Sequence, residues 1–181
     1  MTKIRYIVGK DGKKLEIREP RAADLDSLIY YINEFSDERT FILWQGEHVT
    51  HQQEKEYIES LLKCLTSSTC VHLLVLDGNK VVGAGGVKSA DRVRSHVVEL
   101  NIALLKKYRA NGFGEQLLLK VIDDAKKNIK GLKILTLEVF GCNVVGKNLY
   151  RKIGFKKYGV LPNGIKWRGK FVDVEYMYLE L

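Results

Sequence analysis

Apolar residues recur at helical spacing in four stretches of the chain and alternate with polar residues in several others. Ile4 to Val8 and Lys14 to Arg18 flank Lys10-Asp11-Gly12, whose Asp-Gly pair signals a tight turn between two strands. Pro20 then opens a helix that runs to about Phe35, with Leu25, Leu28, Ile29 and Ile32 at helical spacing. Asp37 to Val49 reads as a polar loop that carries Phe41 and Trp44. Thr50 and Gln53 have capping-box spacing and start a second helix, with Tyr57, Ile58, Leu61, Leu62 and Leu65 as its buried stripe.

Strand patterns follow. Val71 to Leu76 and Lys80 to Lys88 form a hairpin across Asp77-Gly78-Asn79, and His96 to Leu105 supplies another strand. A helix from about Gly112 to Ile129 places Leu117, Leu118, Val121, Ile122 and Ala125 on one face. Lys133 to Phe140 predicts a strand, Val144 to Ile153 a short helix, and Phe155 to Leu161 and Phe171 to Leu181 the closing strands. The expected fold class is mixed α/β, a central mixed sheet of about seven strands flanked by about four helices. With no repeat and no linker, residues 1–181 are expected to form a single domain.

Composition narrows the class. Hydrophobic residues make up 45% and charged residues 29%, with two prolines, so the chain has the makings of a packed core. No apolar run approaches the ~20 residues that span a bilayer, and Met1-Thr2-Lys3-Ile4-Arg5 lacks the apolar stretch of a secretory signal. A cytoplasmic protein with no membrane partner is expected. Cys64, Cys70 and Cys142 show neither metal nor redox spacing and read as three reduced thiols. His48, His51, His72 and His96 show no zinc spacing, so no metal is expected. The net charge of +8 suggests an anionic partner, which nucleic acid and a phosphate-bearing cofactor both satisfy. The lysines are dispersed in pairs and not interleaved with aromatics, so nucleic acid is not expected.

The most informative stretch joins the strand near Ile102 to the helix after Gly112. Arg109-Ala110-Asn111-Gly112-Phe113-Gly114, followed by Glu115, has the pattern R-x-x-G-x-G at a helix start. Glycines allow a sharp turn and close backbone approach, and the helix amides with their positive dipole end favour an anion. Arg109 adds charge suited to phosphate oxygens. A turn that only packs the helix on the sheet would show the same short pattern. Glu115-Gln116 excludes a P-loop, which needs Lys-Ser or Lys-Thr there, and the late position argues against a dinucleotide fold.

A second stretch is Leu137-Glu138-Val139-Phe140-Gly141-Cys142-Asn143, continuing to Leu149-Tyr150-Arg151-Lys152-Ile153-Gly154-Phe155. Asn143 suits the N-cap, Val145, Leu149 and Ile153 are expected to face the core, and Asn143, Gly146 and Tyr150 share a neighbouring face. Tyr150 in a purely packing role is the alternative.

Together, in this order and separation, the two stretches resemble the pyrophosphate-binding motif and the L-x-V-x-x-x-N…L-Y-x-K-x-G-F motif of the GNAT superfamily of N-acetyltransferases. The tail Asn163-Gly164-Ile165…Gly169-Lys170-Phe171-Val172-Asp173…Met177 is similar to the branch containing phosphinothricin and ribosomal-protein acetyltransferases. Gly146 departs from the alanine frequent in the family. The resemblance implies acetyl-CoA as acetyl donor and direct transfer to an amine in a ternary complex. It implies that backbone groups of Ile102, Ala103 and Leu104 hold the pantetheine arm, and that the turn from Arg109 to Gly114 with Glu115 holds the pyrophosphate. Asn143 would contact the arm, and Tyr150 would protonate the departing thiolate.

The acceptor ammonium must also lose a proton, and Glu99 is the candidate base, on a strand face with Asn101; a half-exposed polar face is the alternative. His96, Glu138 and Glu175 are rivals. Phe41, Trp44, Glu47 and His48 are candidates to line an acceptor pocket. The acceptor is a small-molecule amine, a polyamine or a protein N-terminus, and a homodimer is left open. Two other readings stand beside this one: a non-catalytic acyl-CoA-binding module, and a basic ribosome- or RNA-associated protein.

Overall fold

The computed structural model describes residues 5–90 and 92–181; Ile4, the expected start of the first strand, lies outside them. In chain order the elements are β1 (Arg5–Val8), β2 (Lys14–Arg18), α1 (Leu25–Asp37), α2 (His51–Thr66), β3 (Cys70–Asp77), β4 (Lys80–Ser89) and β5 (Val97–Leu104). Then come α3 (Phe113–Asn128), β6 (Ile134–Phe140), α4 (Val144–Ile153), β7 (Lys156–Trp167) and β8 (Lys170–Glu180). The order of strands and helices is the one predicted, with four α-helices and eight strands among the described residues where about seven strands were expected. The architecture is mixed α/β.

Contacts divide the chain into two compact units: the described part of Met1–Lys88 with Asn101–Lys130, and Ser89–Leu100 with Gly131–Leu181. In the first, β1 to β4 form an antiparallel run, with Ile17 opposite Val75 and Leu73 opposite Gly85. Ile7, Leu15, Ile17, Leu73 and Val75 are fully buried in it. From α3, Leu117, Leu118, Val121 and Ala125 are equally buried, the face that the helical spacing marks.

In the second unit, β5 pairs parallel with β6 through Val97–Ile134 and Glu99–Thr136, β6 pairs antiparallel with β8, and β8 with β7. Leu135, Leu137 and Met177 form its fully buried centre.

Three local expectations are corrected. The first helix does not open at Pro20 but after a 3-10 turn at Ala22–Asp24. There the Asp24 carboxylate accepts hydrogen bonds from the Arg21 amide and the Arg18 guanidinium, which holds the chain out of the α-helix until Leu25. On α2 only Ile58 and Glu54 are buried, while Tyr57 is 48% exposed. β7 runs on past Leu161 to Trp167, because Arg168 and Gly169 both take positive φ and turn the chain straight into β8.

Candidate functional site

Each unit carries one of the two stretches singled out above. In the first, β5 ends at Leu104, the 3-10 turn Lys106–Tyr108 follows, and the chain enters α3 through Arg109–Gly112. Ala110 has φ +61° and Gly112 φ +86°, so left-handed residues alternate with ordinary ones. Such alternation curls successive amides toward one side of the turn. Gly112 is the N-cap and offers no side chain to the helix start, whose first backbone bond runs from Gln116 N–H to the Gly112 carbonyl. The amides ahead of it thus form the positive end of a sixteen-residue helix. Phe113 is buried and anchors the turn, while Ala110 is exposed and Asn111, Gly112, Gly114 and Glu115 are half-buried. The turn is also tied to the first hairpin: Lys10 N–H donates to the Asn111 carbonyl, and the Gln116 side chain bonds both polar backbone atoms of Val8.

Arg109 behaves differently from a free phosphate-binding charge. Its Nε donates to the Leu104 carbonyl at 2.7 Å, its guanidinium pairs with the Glu38 carboxylate, and the group lies over the Phe35 ring. The side chain braces the turn against the end of β5 and the end of α1. Of the three β5 residues expected to hold the pantetheine arm, Ile102 and Ala103 are half-buried and Leu104 is buried. The Ala103 carbonyl accepts a hydrogen bond from the Tyr31 hydroxyl at 3.3 Å.

In the second unit, Asn143 caps α4 as expected, its Oδ1 accepting from Gly146 N–H at 2.9 Å. A Cβ on Gly146 would meet the Asn143 side chain at 2.7 Å, so the glycine makes room for the cap. Val145 does not face the core; it is 80% exposed. The helix instead turns Lys147 inward, where its ammonium bonds the Glu175 carboxylate at 2.8 Å and the Gly141 carbonyl. Turning Lys147 outward would leave the Glu175 carboxylate, 13% exposed, without its close ion-pair partner, a larger cost than leaving one valine in solvent. Tyr150 lies one turn on from Lys147, its ring edge-on to Phe155 at 5.8 Å, and burial pushes its phenol up to about 12.

The four candidate bases separate by environment. Glu175 is 13% exposed and held by Lys147. His96 and Glu99 are exposed. Glu138 is also exposed, and partial desolvation together with the charge of Glu99 raises its carboxyl above the ordinary range. In the loop after α1, Glu47 accepts from the Gln45 amide and His48 pairs with Asp37 at 2.9 Å, while Trp44 is 41% exposed. Among the described residues no metal-ligand cluster occurs, and no helix is long and apolar enough to cross a membrane.

The expectation of three reduced thiols is corrected: Cys64 and Cys70 are paired as a disulfide with Cα atoms 5.7 Å apart, and Cys142 is free. The turn that joins α2 to β3 passes through Ser68 at φ +55° and folds the two cysteines together.

Residues 20–155 match the acetyltransferase (GNAT) family. The chain belongs to the GNAT acetyltransferase family. It is 28% identical over 178 residues to an N-alpha-acetyltransferase of Sulfurisphaera tokodaii, covering 97% of each chain. It is 28% identical over 127 residues to the "Probable N-acetyltransferase camello" of Xenopus tropicalis, covering 69% of this chain and 54% of that protein, so the chain spans about half the length of that relative. Among solved structures, a GNAT-family acetyltransferase from Streptococcus pneumoniae is 30% identical, with a TM-score of 0.84 over 92% of this chain and 99% of that one. A phosphinothricin acetyltransferase from Sinorhizobium meliloti in complex with acetyl-CoA shares the fold at 19% identity, with a TM-score of 0.77 over 92% and 88% of the two chains.

In this GNAT chain the sequence reading missed Glu38 and Tyr31, which brace Arg109 and β5. Both sit on the predicted first helix or just past its end, but no local spacing links them to residues some seventy positions later. It also missed the burial of Glu54 and His72, which are 6% and 9% exposed.

Proposed function

We propose that this chain binds acetyl-CoA with its pyrophosphate on the backbone amides of Ala110 to Glu115 and transfers the acetyl group directly to a primary amine. The observation that carries this reading is the alternation of left-handed Ala110 and Gly112 at the start of α3. An anion there meets converging amides and the helix dipole. Arg109 contributes by holding the turn in place, with its charge shared with Glu38. Backbone groups of Ile102, Ala103 and Leu104 hold the pantetheine arm, and Asn143 contacts it.

In the transfer the amine nitrogen attacks the acetyl carbonyl carbon, the new C–N bond forms, and the C–S bond breaks. Tyr150 gives its proton to the departing thiolate. A phenol pushed up to about 12 is fully protonated at neutral pH and so is available as a donor. Glu99 takes the proton lost by the acceptor through water, with Glu138 of the neighbouring strand β6 on the same face of the sheet.

The test is calorimetry with acetyl-CoA on Gly112→Glu, with Gly112→Ala as control. Alanine brings the same backbone strain at φ +86° without the charge. Affinity lost only in the glutamate variant supports a phosphate site; equal affinity in both folded variants removes it. An acceptor screen that reads thiol release then tests the transfer.

A further inference from the structure

A cavity of about 200 Å³ lies in the first unit between α2 and the strands β3, β4 and β5. From α2 it is lined by Tyr57, Ser60 and Leu61, from the strands by His72, Lys88 and Asn101 among others. His72 is more than nine-tenths buried, and its imidazole has no hydrogen-bond partner among the described residues. A Cβ on Gly86 would meet His72 Nδ1 at 2.8 Å and the Val71 carbonyl at 2.5 Å, so the glycine is what lets the ring occupy this wall. A polar group bound in the cavity would have this imidazole to meet.

The cavity has a direction. At one end stands Lys88, opposite Cys70 in the β3–β4 register, and Cys70 is bonded to Cys64 near the end of α2. Lys88 is the only charged group among the lining residues; it forms no ion pair among the described residues. Toward the other end α2 presents Tyr57, roughly 10 Å from Cys64 at the helical rise per residue. Tyr57 is close enough to Tyr31 to perturb it, and the Tyr31 hydroxyl bonds the Ala103 carbonyl of β5. One turn before Tyr57 on the same face is Glu54, 94% buried by its 6% exposure and without a hydrogen-bond or ion-pair partner among the described residues. The walls between are apolar, from Leu61, Val71 and Val87.

We infer that this cavity takes the acceptor, and that the acceptor is an ω-amino carboxylate: its carboxylate lies at Lys88, its short apolar body along Leu61 and Val87, and its amine end at Tyr57. This rests on the acetyltransferase reading, in which backbone groups of Ile102, Ala103 and Leu104 hold the pantetheine arm that carries the acetyl group. A polyamine would put a second cation beside Lys88 with no carboxylate in the lining to receive it. An α-amino acid is too short to meet both ends, because its two charges are held on one carbon.

The experiment has two arms. In the first, coenzyme A-loaded protein is titrated calorimetrically with glycine, γ-aminobutyrate, ε-aminocaproate, ε-aminocaproamide and cadaverine. In the second, thiol release from acetyl-CoA is followed with the same five compounds. ε-Aminocaproate or γ-aminobutyrate is expected to bind and react best. Replacing the carboxylate by the amide, or Lys88→Met, is expected to cost roughly tenfold, the scale of one charged hydrogen bond. Ser60→Phe, which fills the cavity from an exposed helix position, is expected to abolish binding. Since Lys88 and Ser60 are exposed, melting curves should be unchanged and loss of fold is separable from loss of binding.

Binding with these dependences but no thiol release would leave the pocket standing and overturn the acetyltransferase reading. Thiol release with no preference for the carboxylate, or with cadaverine or glycine preferred, would overturn the pocket and leave the enzyme. Lys88→Met and Ser60→Phe without effect would do the same.

Discussion

The guanidinium of Arg109 is paired with the carboxylate of Glu38, so the turn at the start of α3 is fastened to the end of α1. The same Glu38 carboxylate accepts the Lys106 amide at 2.6 Å, bonding both the entry and the exit of the 3-10 turn between β5 and α3. Glu38→Gln keeps the amide bond and weakens the ion pair. The Arg109 side chain is 34% exposed, so solvent screens part of the loss, and about 1 kcal/mol of stability is expected to go. Acetyl-CoA affinity should fall with it by several-fold, roughly what that energy allows. A calorimetric titration beside a urea melt reads both. Unchanged affinity in the destabilised variant would show that the turn keeps its shape without the brace.

Tyr150→Phe removes one oxygen and keeps the ring that meets Phe155 edge-on. If the phenol protonates the thiolate, kcat should drop about 10²-fold, the lower end for general acid catalysis because a thiolate already leaves readily. Acetyl-CoA affinity and the melting temperature should hardly move. Turnover near that of the parent would make Tyr150 a packing residue.

Glu54 is buried, and desolvation raises its carboxyl above the ordinary value of 4.5. A raised folded-state pKa means that its contribution is fully favourable below about 4.5 and is lost as pH rises through the folded value. At neutral pH Glu54→Gln should therefore stabilise the fold, by about 1 kcal/mol, because a neutral amide is cheaper to bury than a carboxylate. The gain should vanish in acid. Urea midpoints at neutral and acid pH decide the matter, and a gain that persists below 4.5 would assign it to something other than ionisation.

His72 shifts in the opposite sense, pushed by burial from 6.5 down to about 4. Its stabilising share is complete above 6.5 and is lost as pH falls to about 4, since the unfolded chain takes up the proton first. The shift corresponds to about 3 kcal/mol lost across that window. His72→Leu should flatten the acid limb of the stability curve over the same range, and an equally steep limb in the variant would mean that other groups drive acid unfolding.

Where a feature is closed by neighbours in sequence, the residues alone determined it. Asp11-Gly12 turns the first hairpin, Thr50 and Gln53 cap α2 reciprocally, Asn143 caps α4, and Gly112 takes the left-handed φ at the start of α3. In each case the partner lies within a few positions, so spacing and residue type suffice. The two motif stretches and the order of all twelve main elements were legible for the same reason.

Tertiary structure alone decided which charges and faces became buried. Val145 fits an apolar stripe, yet α4 rotates to bury Lys147 on Glu175. Arg109 has the type and spacing of a phosphate ligand, yet Glu38 claims its guanidinium. Tyr57 fits the stripe of α2, but it borders a cavity whose opposite wall carries His72 from β3 and Asn101 from β5. Periodicity reports the faces a segment offers. Which face is taken depends on the ion pairs and hydrogen bonds waiting on strands far away in the chain, and their free energies compare with those of a buried methyl group.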